Sequence, residues 1–399
     1  MITSQRVGIL EYLIRELVPV AKQLEAKGKK ILYLNIGDPL KYDFETPKYI
    51  REALKEAIDN GYNYYSKAQG IDELLEAIAE KERKVNNVPL SPDRIVVTTG
   101  VSEAINFVMA TLVEKGDKVL LPSPTYPLYA NFTKFYGGKP VFYRLCEENN
   151  WMPDLNDIRS KIDEKTKILV IINPNNPTGG VYSRQILTEI LDLAAQHNLI
   201  VVSDEIYDRI VFEEEFYSTA SLSKDTVVIG LNGFSKTYLM TGWRLGYVYI
   251  YDPMGSVGEE VYNAIVKMAM NRLCAPTPIQ IAAAKALRGS QKHITDFVLK
   301  LKRRRDMVME IIEETDCLSA VKPRGAFYIF PRIEYKGDWK NDKEFAYKLL
   351  IEEGVLIVPG TGFYTGDNDH FRTVILPPAD MLNEAFDKIV DFIERHKVS

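Results

Sequence analysis

From residue 94 to residue 251 the sequence alternates short, apolar, β-branched runs with stretches of helical length, and this alternation limits the fold more than any other feature. The runs at 95–98, 119–121, 141–144, 168–172, 199–202, 227–231 and 245–251 have the length and composition of strands. Helical stretches such as 103–112 and 184–197 lie between several of them. Strands alternating with helices predict an α/β sheet, mostly parallel, covered by helices on both faces. In such sheets ligands gather outside the carboxyl ends of the strands.

The loops at the ends of these runs are therefore where a site is to be sought. Thr99-Gly100-Val101-Ser102 opens a helix whose free N–H groups and dipole suit a phosphate. After 119–121 comes a Pro-rich loop presenting Tyr126, and after 168–172 comes Asn173-Pro174-Asn175-Asn176-Pro177-Thr178-Gly179-Gly180. Ser203-Asp204-Glu205-Ile206-Tyr207 puts an aspartate at a strand end. In the stretch 233–247, Lys236 is flanked by Ser235 and Thr237 and followed by Arg244. A lysine amine attacks an aldehyde once deprotonated, and a nearby guanidinium both lowers its pKa and binds a dianion. This set has chemistry for a carbonyl and a phosphate.

The flanking regions are less regular. Ile9, Tyr12, Leu13, Leu17 and Val20 recur at helical spacing, which predicts one amphipathic helix within residues 1–30, with Tyr12 and Arg15 on one face. A strand at 31–36 runs into the turn Gly37-Asp38-Pro39, where bare backbone can approach a ligand. Thr46-Pro47 starts a helix reaching residue 60, and Tyr62-Asn63-Tyr64-Tyr65-Ser66 is a dense aromatic loop before a helix at 71–84. Beyond residue 278 the pattern changes to a long helical region (278–314), short strands at 325–331, 355–358 and 372–376, and helices at 342–353 and 381–396. This mix predicts a second, smaller α+β domain.

Composition removes several function classes. A net charge of -5 gives no reason to expect nucleic-acid binding, and the basic run 300–305 is expected to be one helix's solvated face. Cys146, Cys274 and Cys317 are odd in number and without metal-ligand spacing, which points to a reducing, cytoplasmic setting. Neither the cysteines nor the four histidines form a metal-binding cluster in the sequence, and no apolar run is long enough to span a bilayer.

Taken together, Asn173 to Gly180, Ser203 to Tyr207, Ser235-Lys236 and Gly242-Trp243-Arg244-Leu245-Gly246 resemble the fold type I (class I/II) aminotransferases, which use pyridoxal 5′-phosphate. The resemblance covers almost the whole chain. It implies an aspartate aminotransferase-like fold, with residues 1–45 an N-terminal helix and part of the small domain, 46–285 the large cofactor-binding domain, and 286–399 the small C-terminal domain. It also implies that Lys236 holds the cofactor as a Schiff base and then carries the substrate's proton, and that Asp204 pairs with the pyridine nitrogen. Tyr207 and Asn176 would bond the ring's phenolate oxygen, and Tyr126 would stack on the ring. Arg244, Ser235 and the backbone of Gly100, Val101 and Ser102 would bind the phosphate, joined by Tyr65 from the other subunit of a homodimer. Arg372, with Asn176 and Gly37 beside it, would take the substrate carboxylate in a bidentate pair. Tyr12 and Arg15 are expected in a lid over the substrate.

Where several relatives carry Ser-x-Ser-Lys, this chain has Gly233-Phe234-Ser235-Lys236, so a phosphate hydroxyl is expected to be missing. Leu34 to Pro39, Asn271-Arg272-Leu273-Cys274, the run 322–328 and Phe371-Arg372-Thr373-Val374 look most like prokaryotic alanine aminotransferases. The expected reaction is therefore ping-pong transfer between alanine/pyruvate and glutamate/2-oxoglutarate. An aspartate or broad-specificity aminotransferase is the first alternative, and a β-eliminating C–S lyase the second.

Overall fold

The computed structural model describes residues 2–11 and 13–398. After a two-residue strand, β1 (Leu32–Tyr33), the chain builds an eight-stranded sheet from β2 (Ile95–Thr98), β3 (Lys118–Ser123), β4 (Lys139–Cys146), β5 (Met152–Pro153), β6 (Thr166–Ile172), β7 (Ile200–Asp204), β8 (Val228–Gly233) and β9 (Gly246–Tyr251). Their spatial order is β2-β9-β8-β7-β6-β3-β4-β5. The inner pairs β4/β3, β3/β6, β6/β7 and β7/β8 are parallel, whereas β9 runs against both neighbours and β5 against β4. This is the expected α/β architecture.

Residues 168–172 show why the sheet needs two covers. Leu169 and Ile171 enter one apolar cluster, with Leu74, Leu187 and Ala283 from helices Asp72–Val85, Arg184–Gln196 and Thr277–Arg288. Ile168, Val170 and Ile172 enter another, with Ala104 and Ile265 from helices Val101–Leu112 and Gly258–Arg272. Successive strand residues face opposite sides, so a strand apolar throughout must be covered on both. Each such aliphatic side chain contributes about 1.5–3 kcal/mol on full burial.

A further layer holds the short strands β10 (Leu318–Ser319), β11 (Tyr328–Ile329), β12 (Arg332–Ile333), β13 (Val355–Leu356), β14 (Val358–Pro359) and β15 (Phe371–Val374). β15 lies between β11 and β14, antiparallel to both, and β13 pairs parallel with β1. The helices Lys292–Glu313, Asp342–Glu353 and Ala379–His396 share an apolar core with β10, β11, β12, β13 and β15.

Four expectations need correction. The N-terminal helix is two 3-10 turns, Gln5–Ile9 and Leu13–Arg15, and one α-helix, Val18–Ala26. Pro19 sits in its first turn, where a missing N–H costs nothing, and could not lie in the interior of a longer helix. Thr46 does not cap the next helix: its hydroxyl donates to the Leu239 carbonyl, and Pro47 is the capping residue of Lys48–Asp59. The helical region 278–314 is two helices, Thr277–Arg288 and Lys292–Glu313, with Gly289 ending the first.

The run 300–305 is not simply a solvated face, since Arg304 and Arg305 are buried. Arg304 donates to both oxygens of Asp43 at 2.8 and 2.7 Å, and Arg305 to both of Glu213 at 2.7 and 2.6 Å. Leu301, Arg304, Arg305 and Val308 share the helix's inner stripe, and bidentate pairing is what lets a guanidinium lie there.

Candidate active site

β4 lies on one side of β3 and β6 on the other, so the chain reverses its direction of travel across the sheet there. Outside the carboxyl ends of β6, β7 and β8 is a cavity of about 450 Å³. Ile172 and Asp204, the last residues of β6 and β7, line it together with Lys236 from the loop after β8. This is where an open α/β sheet places its ligand.

The Lys236 amine faces the cavity and donates to the Gly37 carbonyl at 2.7 Å. Burial lowers its pKa to about 8, with the Arg372 and Arg244 charges acting the same way and Asp38 and Asp204 opposing. Desolvation therefore does most of what was expected of a neighbouring arginine. An amine at that value keeps a useful free-base fraction near neutral pH.

Asp204 is buried at the foot of the cavity. Burial pushes its carboxyl up to about 6, against the Tyr129 hydroxyl, which donates to Oδ2 at 2.9 Å, and the Ile206 N–H, which donates to Oδ1 at 3.2 Å. The two donors keep Asp204 an anion at neutral pH despite its burial. Tyr129 was not anticipated. Its one signal in the sequence is its place three residues after Tyr126, in helix Pro127–Phe135.

An anion cup forms where β9, the Lys236 loop and helix Val101–Leu112 meet. Gly100 precedes that helix with φ +85°, and a Cβ there would lie 2.5 Å from Arg244 Nη2. Only glycine lets the guanidinium come this close to the helix N-terminus. Arg244 donates to Ser235 Oγ at 3.4 Å and to the Thr241 carbonyl at 2.9 Å. Val101 and Ser102 line the cavity beside it. Gly233, the departure from Ser-x-Ser-Lys, has a packing reason: a Cβ there would lie 2.9 Å from Gly246 Cα. Gly246 in turn lies against the helix start, since its own Cβ would be 2.8 Å from Val101 N.

Across the cavity, Arg372 in β15 is 2% exposed and donates to Asn176 Oδ1 at 3.2 Å and to the Asn35 carbonyl. The Tyr328 and Phe363 rings lie 4.5 and 4.8 Å from its guanidinium carbon. Tyr207 and Tyr328 share a hydroxyl–hydroxyl bond of 2.8 Å, and burial raises the Tyr207 pKa well above the ordinary phenol value. Tyr126, Gly37 and Tyr207 all line the cavity. Tyr328, at the end of the run 322–328 and without an expected role, is a wall of the site.

Arg15 is an exposed residue that lines the cavity. Tyr12 lies outside the described residues. Tyr65 is 80% exposed and is not among the residues lining the cavity of its own chain.

The fold agrees with what comparison shows. The profile described as "Aminotransferase class I and II" matches residues 29–389. The chain belongs to this family. It is 39% identical to "Alanine aminotransferase" of Mycobacterium tuberculosis over 94% of this chain and 89% of that one. It is 38% identical to "Glutamate-pyruvate aminotransferase AlaA" of Escherichia coli over 94% and 93% of the two chains. The solved structure of an alanine aminotransferase from Pyrococcus furiosus superposes with a TM-score of 0.96 at 47% identity, covering 99% of this chain and all of that one.

Proposed function

We propose that this aminotransferase moves an amino group between L-alanine/pyruvate and L-glutamate/2-oxoglutarate by a ping-pong mechanism, with pyridoxal 5′-phosphate held at Lys236. The observation that carries the reading is one cavity lined by a partly deprotonated lysine, a buried carboxylate, a cationic helix N-terminus and a second, aromatic-flanked guanidinium. The relatives' names support the choice of substrates.

These residues fit the cofactor. Gly100 leaves Arg244 room at the helix start, a cradle for a phosphate dianion, and Asp204 offers a buried anion for a protonated ring nitrogen. When bound, pyridoxal 5′-phosphate supplies an aldehyde for the donor's amine and an electron-withdrawing ring for the electron pair left at Cα. The chain does the rest. Arg372 would fix the donor's carboxylate, Lys236 Nζ would take the proton from Cα and return it to the carbon that carried the cofactor's aldehyde, and Tyr126 would close one face. Tyr207 and Asn176 would set the polarity around the ring oxygen.

Substrate choice rests on exclusion, because alanine's methyl is worth only about 0.8 kcal/mol on burial. Arg15 at the cavity gives a second carboxylate a partner, which admits glutamate. Arg372→Lys should lower kcat/KM for both donors by about 10²-fold, since a point ammonium cannot reproduce two parallel bonds. Arg15→Gln should lower it about tenfold for glutamate and spare alanine. Equal losses for both donors in Arg15→Gln would remove that residue from substrate selection.

The homodimer is part of the proposal, as are the division at residues 45/46 and 285/286 and a cytoplasmic location. Tyr65 projects from its own subunit, which supports a role at the partner's phosphate. Mixing Lys236→Ala with Tyr65→Phe protein should yield heterodimers with one intact site, raising activity above the sum of the parents. If activity never exceeds that sum, Tyr65 acts within its own chain.

A further inference from the structure

His370 lies two residues before Arg372 and is 1% exposed, yet it carries out none of the steps above. Its ring stacks on Phe330 at 5.0 Å and 12° and meets Trp151 edge-on at 5.7 Å. Nε2 is 3.2 Å from Glu147 Oε1, and Nδ1 is 3.0 Å from Asp367 Oδ1. Asp369 Oδ1 is 2.8 Å from the same Nδ1 but lacks hydrogen-bond geometry. Arg332 closes the group, with Nε 3.0 Å from Asp369 and Nη1 3.5 Å from Glu147.

These contacts come from two parts of the fold. Glu147 directly follows β4 and Trp151 directly precedes β5, both at the edge of the eight-stranded sheet. Phe330, Arg332, Asp367 and Asp369 belong to the layer that carries β15. The His370 carbonyl also accepts the Gly360 N–H at 2.8 Å, beside the β14–β15 pairing that sets Arg372 opposite Val358.

We propose that His370 is a positioning residue for Arg372, clamping the head of β15 to the edge of the central sheet so that the guanidinium meets both Asn176 and the substrate carboxylate. The proposal rests on Arg372 being the carboxylate anchor. The clamp needs a cation at His370, because Glu147, Asp367 and Asp369 bring three negative charges and Arg332 only one positive. Both ring nitrogens face carboxylates, so a proton on the ring offsets one of the two uncompensated negative charges.

Burial alone would lower the His370 pKa, but the bonds and charges of Asp367 and Glu147 outweigh it and raise the value to about 9. A group whose pKa rises on folding contributes fully below its unfolded value, about 6.5, and loses that contribution as the pH climbs through about 9. The clamp therefore loosens on the alkaline side.

Propionate, which has no titrating amine, is the probe. Its Kd is read from the bound cofactor's absorbance in the holoenzyme between about pH 7 and about pH 10, with the chromophore's own titration recorded without probe. Wild type should lose affinity above about pH 9, and His370→Gln should bind about tenfold more weakly at neutral pH without that limb. KM for alanine should rise in parallel while kcat at saturation stays within about twofold. Glu147→Gln keeps the ring and its stacking and serves if His370→Gln misfolds; it should weaken binding by about threefold.

Arg372→Lys separates the two readings. If it weakens propionate binding while His370→Gln and Glu147→Gln retain wild-type affinity and pH profile, the positioning role is wrong. Unchanged binding in Arg372→Lys would overturn the anchor and the clamp together.

Discussion

Replacing Lys236 with alanine should lower kcat by about 10³-fold or more and abolish the borohydride-reducible lysine adduct. The size reflects the number of tasks this amine performs. It is the cavity-lining amine with a pKa near 8, it sits 2.7 Å from the Gly37 carbonyl, and the proposed proton transfer at Cα passes through it. Thr237 and Ser235 beside it carry only hydroxyls, which cannot form an imine. Single-turnover absorbance with alanine, together with reduction and peptide mapping, is the measurement. A variant that kept a reducible lysine adduct and normal turnover would remove Lys236 from the reaction.

Asp204→Asn should have the next largest effect, a fall in kcat of about 10²–10³-fold with a much smaller change in cofactor affinity. The substitution keeps the shape and removes the charge. Asp204 is the buried carboxylate at the cavity's foot, and burial has already moved its pKa to about 6, so the Tyr129 hydroxyl is part of what keeps it charged. An amide cannot hold a proton on a ring nitrogen, so the electron pair released at Cα loses its stabilisation. The Gly100–Arg244 cup proposed for the phosphate is untouched, which is why affinity should largely survive. Near-normal kcat in Asp204→Asn would show that this carboxylate is not the charge partner.

Much of this was legible in the sequence because strands buried on both faces leave a plain trace. The run 168–172 is apolar throughout, and the loops after such runs are where Asn176, Asp204 and Lys236 come together. The irregular parts left weaker traces. Apolar spacing over residues 9–20 looked helical although, among the described residues of that segment, α-helix begins only at Val18, with Pro19 in its first turn. Arg304 and Arg305 looked solvated because a charge run does not display its partners, and Asp43 and Glu213 are distant in sequence.

Tyr129 and His370 were missed for the same reason. Each has a partner brought to it only by the fold, Asp204 for Tyr129, 75 positions away, and Glu147 for His370, 223 positions away. Gly233 shows the opposite case. Its departure from Ser-x-Ser-Lys reads in the sequence as a lost hydroxyl, and the structure adds the packing reason for it, the close approach of β8 to Gly246.

The alanine–glutamate assignment is tested most directly by a single-turnover screen of the purified holoenzyme against individual amino acids, monitoring the change in cofactor absorbance. Alanine and glutamate should both drive the first half-reaction, and pyruvate and 2-oxoglutarate should both reverse it. Aspartate or aromatic donors reacting far faster than alanine would contradict the assignment, and release of pyruvate and ammonia from cysteine conjugates without an acceptor would point to elimination instead.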